Sequence, residues 1–101
     1  MVIITKGAIH EFVKKYPGAA GPLNDWFKKA SQADWKSFAS VKSTFNTVDA
    51  IGEDRYVFDI GGNNFRLIAM IHFTIRTLYI RAILTHKEYD ALSRLKKLTA
   101  L

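Results

Sequence analysis

One stretch, Gly61 to Asp90 (GGNNFRLIAMIHFTIRTLYIRAILTHKEYD), constrains the fold more than any other part of the chain. Gly61-Gly62-Asn63-Asn64 groups residues that tolerate positive φ, as hairpin turns demand, and alternating apolar residues flank it on both sides. Thr74 to Thr77 forms a second reversal. The stretch therefore reads as long antiparallel strands that deliver a helix N-terminus carrying His86, Lys87 and Tyr89.

The turns fix an expected register, because a slip of one residue would turn every side chain to the other face. Phe73 is expected opposite Leu78, Ile71 opposite Ile80, Ala69 opposite Ala82 and Leu67 opposite Leu84. That face is wholly apolar and is assigned to the core, together with Tyr56, Phe58 and Ile60. The other face is mixed: Arg55, Val57 and Asp59, then Arg66, Ile68, Met70 and His72, then Tyr79, Arg81, Ile83 and Thr85. Asp59, Arg66 and Thr85 should lie side by side, with His86 next along the chain.

Upstream, Val2-Ile3-Ile4 reads as a short strand, with Thr5 placed to cap the helix that follows. Ile9, Phe12, Val13 and Tyr16 make the stripe of a one-sided helix ended by Pro17-Gly18. A second helix, beginning near Gly21-Pro22, repeats the stripe as Leu23, Trp26, Phe27 and Ala30. Both helices are expected to cover the core face of the sheet. Asp34 is placed to cap a third, short helix burying Trp35, Phe38 and Val41, and Asn46 to Asp54 reads as a polar connection.

With 101 residues, 49% of them hydrophobic, the chain is expected to form one domain, residues 1–101, around a single core. The absence of cysteine removes disulfides and thiolate chemistry. His10, His72 and His86 have no metal-like spacing, so neither a metal site nor a cofactor is expected. Met1 to Thr5 is too short for a signal peptide and no apolar run matches a bilayer, so no membrane association and a cytoplasmic location are expected.

The formal charge is +6, unevenly spread. Residues 1–54 hold seven Lys against six acids, whereas residues 55–101 hold eight Lys and Arg against three. All five arginines fall in the second part. Guanidinium forks suit phosphate, so their concentration on and around a sheet points to a polyanionic partner. The aromatic residues of the helices sit at core spacing, whereas Tyr79 falls beside Arg81 on the mixed face, where a base can stack.

Thr85-His86-Lys87-Glu88 is a capping box, so a helix is expected to start at His86 and to continue its apolar stripe through Leu92, Leu95 and Leu98, with Arg94, Lys96 and Lys97 towards its C-terminal end. A helix start attracts phosphate and disfavours an imidazolium, which equips His86 to accept a proton. Tyr89, three residues on, shares its face. A histidine, a phenol and the guanidiniums of Arg66 and Arg81 are the parts needed to cleave RNA through its own 2′-OH. The same basic face would also serve a non-catalytic RNA- or ribosome-binding module, or a protein-interaction domain.

Tyr56-Val57-Phe58-Asp59-Ile60-Gly61-Gly62-Asn63, Phe65-Arg66-Leu67-Ile68, Tyr79-Ile80-Arg81 and Thr85-His86-Lys87-Glu88-Tyr89-Asp90 resemble the HigB family of bacterial type II toxins, and Trp26, Trp35-Lys36-Ser37 and Val41-Lys42 extend the likeness over nearly the whole chain. The resemblance implies an α+β, RelE-like fold: a small antiparallel sheet, two N-terminal helices packed on one face and a short C-terminal helix. It also implies an mRNA endonuclease working in the A site of the 30S ribosomal subunit and silenced by a HigA-type antitoxin with a helix-turn-helix domain. Carried over by position, the catalytic candidates are His86, Tyr89, Arg66, Arg81 and Lys87. Tyr79, Arg55, Lys96 and Lys97 are expected to contact RNA. Two departures stand out: Asp59 where many relatives have asparagine, and Leu84 where many have glycine. A carboxylate beside Arg66 would either weaken phosphate binding or hold that arginine in place.

Overall fold

The computed structural model describes residues 1–101. Five strands, β1 (Val2–Ile4), β2 (Asp49–Gly52), β3 (Arg55–Ile60), β4 (Phe65–His72) and β5 (Thr77–Thr85), form one sheet in the order β1-β5-β4-β3-β2. Four helices accompany it: α1 (Gly7–Lys15), α2 (Ala20–Gln32), α3 (Phe38–Thr44) and α4 (His86–Arg94). The fold is α+β and RelE-like. Its sheet is antiparallel from β2 through β5, but β1 joins the outer edge of β5 in parallel, so the expected antiparallel sheet is in fact mixed. A parallel neighbour requires a long crossover, and everything from α1 to β4 supplies it. No helix is long and apolar enough to cross a membrane.

The two amphipathic helices cover one face as their stripes require. Leu23, Trp26 and Ala30 of α2 and Ile9 of α1 are buried with Phe58, Ile60, Leu67, Ala69, Ile71, Leu78 and Ile80 of the sheet. Trp26 meets Phe58 edge-on at 5.4 Å between ring centroids, and Phe12 meets Phe65 at 5.3 Å. Fully burying such side chains contributes roughly 1.5–3 kcal/mol each. Trp35 stacks on the other side of this cluster and donates its indole N–H to Thr44 Oγ1 at 3.0 Å.

The β3–β4 turn takes its expected form. Ile60 pairs with Phe65, and Gly61 and Gly62 adopt φ of +62° and +66°. A Cβ on Gly61 would meet Pro22 Cγ of α2 at 3.4 Å, so this glycine also lets the turn approach the helix layer. Asp59 pairs with Arg66 as expected.

The β4–β5 register differs from the expected one in two ways. The reversal lies at Phe73–Arg76, so Ile71 faces Leu78 and Ala69 faces Ile80. A β-bulge then intervenes: Ile68 pairs with Ala82, Leu67 with Ile83 and Arg66 with Leu84, leaving Arg81 without a cross-strand partner. The extra residue turns the rest of β5 over. Ile83 packs into the main core, while Ala82 and Leu84 join a second cluster on the opposite face. Leu84, rather than Thr85, is therefore the neighbour of Arg66.

That second cluster contains buried Val57, Ile68 and Leu98, with Ile51, Tyr89, Leu92 and Leu101 against them. The mixed face is thus partly roofed by α4 and the short 3-10 turn Leu98–Ala100. Three local expectations change as well. Thr5 takes φ +72° and offers its carbonyl to Ala8 N–H rather than a side-chain cap. Asp34 caps nothing and instead pairs with Lys36 and Arg76, while α3 begins at Phe38. Asp49–Gly52, read as a connection, is the edge strand β2.

Candidate active site

Residues of the β3–β4 turn, two central strands and the start of α4 converge on one end of the sheet. The capping box forms as expected: Thr85 Oγ1 accepts from Glu88 N–H at 3.2 Å, and Glu88 Oε1 accepts from Thr85 N–H at 2.9 Å. His86 N–H donates to Asn64 O at 3.1 Å, tying the helix start to the turn. Three of the first four backbone donors of the helix are therefore engaged within the protein, and a glutamate lies over them. The open phosphate-binding helix end expected from the sequence is largely closed.

His86 remains accessible, with 42% of its side chain exposed, and its Nδ1 lies 3.0 Å from Asp90 Oδ2. That contact leaves Nε2 as the ring nitrogen without a partner in the protein. Asp90 is a site residue that the sequence motif does not single out by itself. Its signal was the i,i+4 spacing from His86, which puts both on one helix face.

Arg66 is not the open clamp that was expected. It is 8% exposed, and each guanidinium nitrogen has a protein acceptor: Nε pairs with Asp59 Oδ1 at 3.1 Å, Nη1 donates to Phe65 O at 3.0 Å and Nη2 donates to Asn63 Oδ1. Tyr89 covers one face of the guanidinium, its ring centroid 5.5 Å from Cζ. Burial arises because α4 and Leu98 roof this part of the sheet. Of the two arginines assigned to the mixed face, only Arg66 is buried: Arg81 at the bulge is exposed and appears in none of the ion pairs, and Lys87 on α4 is likewise exposed and free.

The Tyr89 phenol is pushed above its ordinary value, first by burial and then by the Asp49 carboxylate, while Arg66 pulls the other way. At neutral pH it is an O–H donor and not a phenolate. A phenol donor, a cation against its ring and an accessible imidazole thus share the end of the sheet.

The remaining candidates lie elsewhere. Arg55 is held by Leu101 O, at 3.2 Å from Nε and 2.9 Å from Nη2, and by Glu53 O. Lys96 and Lys97 close α4 by a Schellman arrangement, with Lys96 N–H on Ser93 O, Lys97 N–H on Leu92 O and Lys96 at φ +56°. Both lysine side chains are exposed. Tyr79 lies near the other end of β5, edge-on to His72 at 5.8 Å.

Comparison with known proteins bears on this arrangement. The model of the HigB toxin family, described as the RelE-like toxic component of a toxin-antitoxin system, matches residues 19–92. An mRNA interferase HigB of Escherichia coli O6:H1 (strain CFT073) is 33% identical over 96 residues, covering 93% of each chain. The mRNA interferase toxin HigB of Escherichia coli strain K12 is 35% identical over 92 residues, covering 89% of this chain and 88% of its own. The mRNA interferase HigB of Shigella flexneri matches to the same extent.

Proposed function

The chain belongs to the RelE-like HigB toxin family, and from that membership we propose that it is an mRNA interferase. On this reading it is a metal-independent endoribonuclease that cuts messages in the ribosomal A site and is neutralised by a HigA-type helix-turn-helix antitoxin. The observation that carries the chemistry is the His86–Asp90 contact at 3.0 Å beside the Tyr89–Arg66 stack.

The reaction follows from the parts. His86 Nε2, its tautomer held by Asp90, takes the proton of a ribose 2′-OH, and the 2′ oxygen forms its bond to the adjacent phosphorus. The bond from phosphorus to the 5′ oxygen breaks, and that oxygen takes a proton from the Tyr89 hydroxyl. The products are a 2′,3′-cyclic phosphate and a 5′-hydroxyl. Arg66, set behind the phenol, stabilises the negative charge that Tyr89 acquires, while Arg81 and Lys87 receive the phosphates from the solvent side. DNA has no 2′-OH and is not cut.

Substituting His86 by Ala removes a proton carrier and should lower cleavage by roughly 10²-fold or more. The assay is primer extension on a message incubated with the purified protein, with and without ribosomes, reading new 5′ ends. Intact message under both conditions, together with harmless expression in bacteria lacking an antitoxin, would refute the proposal. The engaged state of Arg66 and of the α4 start favours one rival reading, a basic RNA- or ribosome-binding module without catalysis. That module would show binding that weakens steeply with salt and no strand scission.

A further inference from the structure

We propose that the cleft beside the β4–β5 reversal is a nucleobase subsite that receives a guanine of the bound RNA. The inference rests on the RNA-directed reading above and adds to it a second contact point, remote from His86.

The cleft has a volume of about 440 Å³ and is lined by Asp54, His72, Phe73, Thr74 and Tyr79, with Ile71 and Ile75. It lies at the far end of β4 from the candidate active site, His72 being six residues from Arg66, roughly 20 Å at the rise of a strand. Exposed Arg81 stands between the two along β5. A single RNA strand crossing from α4 to the cleft would pass that guanidinium, which has no carboxylate partner of its own.

Two features of the cleft select a base over other ligands. His72 and Tyr79 are half-buried, meet edge to face at 5.8 Å with an 81° angle between their planes, and border open space. Phe73, by contrast, already packs edge-on against Tyr56 at 5.9 Å. A planar ring entering the cleft can therefore lie on one aromatic face while its edge meets the other, a contact available to any base.

The carboxylate sets which base. Asp54 is exposed and belongs to none of the ion pairs or side-chain hydrogen bonds of the molecule, whereas its carbonyl accepts from Ile71 N–H at 3.0 Å and fixes the residue against β4. An ionised carboxylate only accepts, and it is best satisfied by two parallel N–H groups. Guanine presents N1–H beside its N2 amino group and meets both oxygens. Adenine and cytosine each set a ring-nitrogen acceptor next to their amino group, and uracil flanks its one N–H with two carbonyls, so each would point a lone pair at the carboxylate.

The test is an NMR titration of the whole protein with guanosine 5′-monophosphate and, separately, adenosine 5′-monophosphate, following the ring protons of His72 and Tyr79. Asp54→Asn is the informative variant, since Asp54 has φ +60° and asparagine tolerates that conformation. Guanosine monophosphate should shift both rings and bind about tenfold or more tighter than the adenosine compound. That preference should vanish in Asp54→Asn, because a doubly accepted, charge-assisted pair is worth at least tenfold. Tyr79→Ala should abolish binding of both nucleotides. Absence of shifts at these rings, or an unchanged preference in Asp54→Asn, overturns the subsite, and continued cleavage of RNA by such a protein leaves the catalytic reading standing. Guanosine-specific shifts in a protein that cuts no RNA would instead support the subsite and sink the nuclease.

Discussion

Replacing Asp59 by asparagine separates what Arg66 does for the fold from what it does for RNA. The guanidinium is 8% exposed, and the substitution removes its only carboxylate, 3.1 Å from Nε. Stripping the partner from a fully buried ion pair costs about 3–5 kcal/mol. Here the loss is smaller for two reasons on the structure: Nη1 and Nη2 keep Phe65 O and Asn63 Oδ1, and the Asp59 side chain is 32% exposed, so water reaches the vacated oxygen. Asparagine also retains one acceptor oxygen. These terms bring the cost to about 2 kcal/mol, which in a domain of this size lowers the melting temperature by roughly 8–16 °C. Urea and thermal unfolding at neutral pH measure it. Cleavage per folded molecule should stay near the wild-type level, because Phe65 O and Asn63 Oδ1 still hold the guanidinium against the Tyr89 ring. Unfolding within about 0.5 kcal/mol of wild type would show that the pair does not hold Arg66. A cleavage loss of about 100-fold in a folded variant would refute the restraining role and assign the carboxylate to the reaction itself.

Three other perturbations test separate parts of the structure. Asp90→Asn should slow cleavage by about tenfold and His86→Ala by roughly 10²-fold or more, and the double variant should be no slower than His86→Ala, since Asp90 acts only through the imidazole; additive losses would break that link. Burial raises the phenols of both Tyr56 and Tyr89, with Asp54 and Asp49 respectively adding to it. A raised folded-state value gives stability that is complete below about pH 10 and is lost as pH climbs through the raised values, so melts from pH 8 to 11.5 should fall steeply and Tyr89→Phe should fall less. An equal decline in Tyr89→Phe would contradict the assignment. Gly61→Ala combines φ +62° with a 3.4 Å approach to Pro22 Cγ and should cost about 1–2 kcal/mol in urea unfolding, whereas Gly62→Ala, with no heavy atom within 4 Å of its added Cβ, should pay for backbone strain alone. Equal costs would deny the contact with α2.

Local rules were enough to read the parts of the fold that local rules decide. Gly61-Gly62-Asn63-Asn64 announced its turn, Thr85 and Glu88 their capping box, and period-two alternation placed Asp59 opposite Arg66. Where the chain offers no polarity contrast, the reading failed. Ala82-Ile83-Leu84 is apolar at three consecutive positions, so either register buries something greasy on both faces and only packing against α1 and α4 selects between them. The edge strand β2 has one aliphatic residue of any size, Ile51, and pairs through its backbone, which leaves no pattern to see. At the candidate site the residues were legible but their exposure was not. Nothing in the spacing of Arg66 says that Tyr89 will lie across it, because that depends on where a helix that begins only at His86 comes to rest.

The bulge at Arg81 decides that resting place. In the uninterrupted register, Arg81, Ile83 and Thr85 would face the second side of the sheet. With one residue extruded, Ala82 and Leu84 take their places beside Val57 and Ile68. Helix α4 contains no fully buried residue, so it is held to the sheet by this apolar ground under Tyr89 and Leu92, by Leu98, by the His86 N–H on Asn64 O, by the grip of Arg55 on Leu101 O and by the Tyr89 ring on Arg66. The same extrusion therefore performs two tasks at once. It leaves one guanidinium, Arg81, in solvent, and by drawing α4 onto the sheet it buries the other beneath the phenol that stands one helical turn from His86. An arginine seated there acts through the phenol in front of it, which is why the face that sequence charge alone would present as two open cations becomes an accessible imidazole and a half-buried phenol with a fixed positive charge behind it.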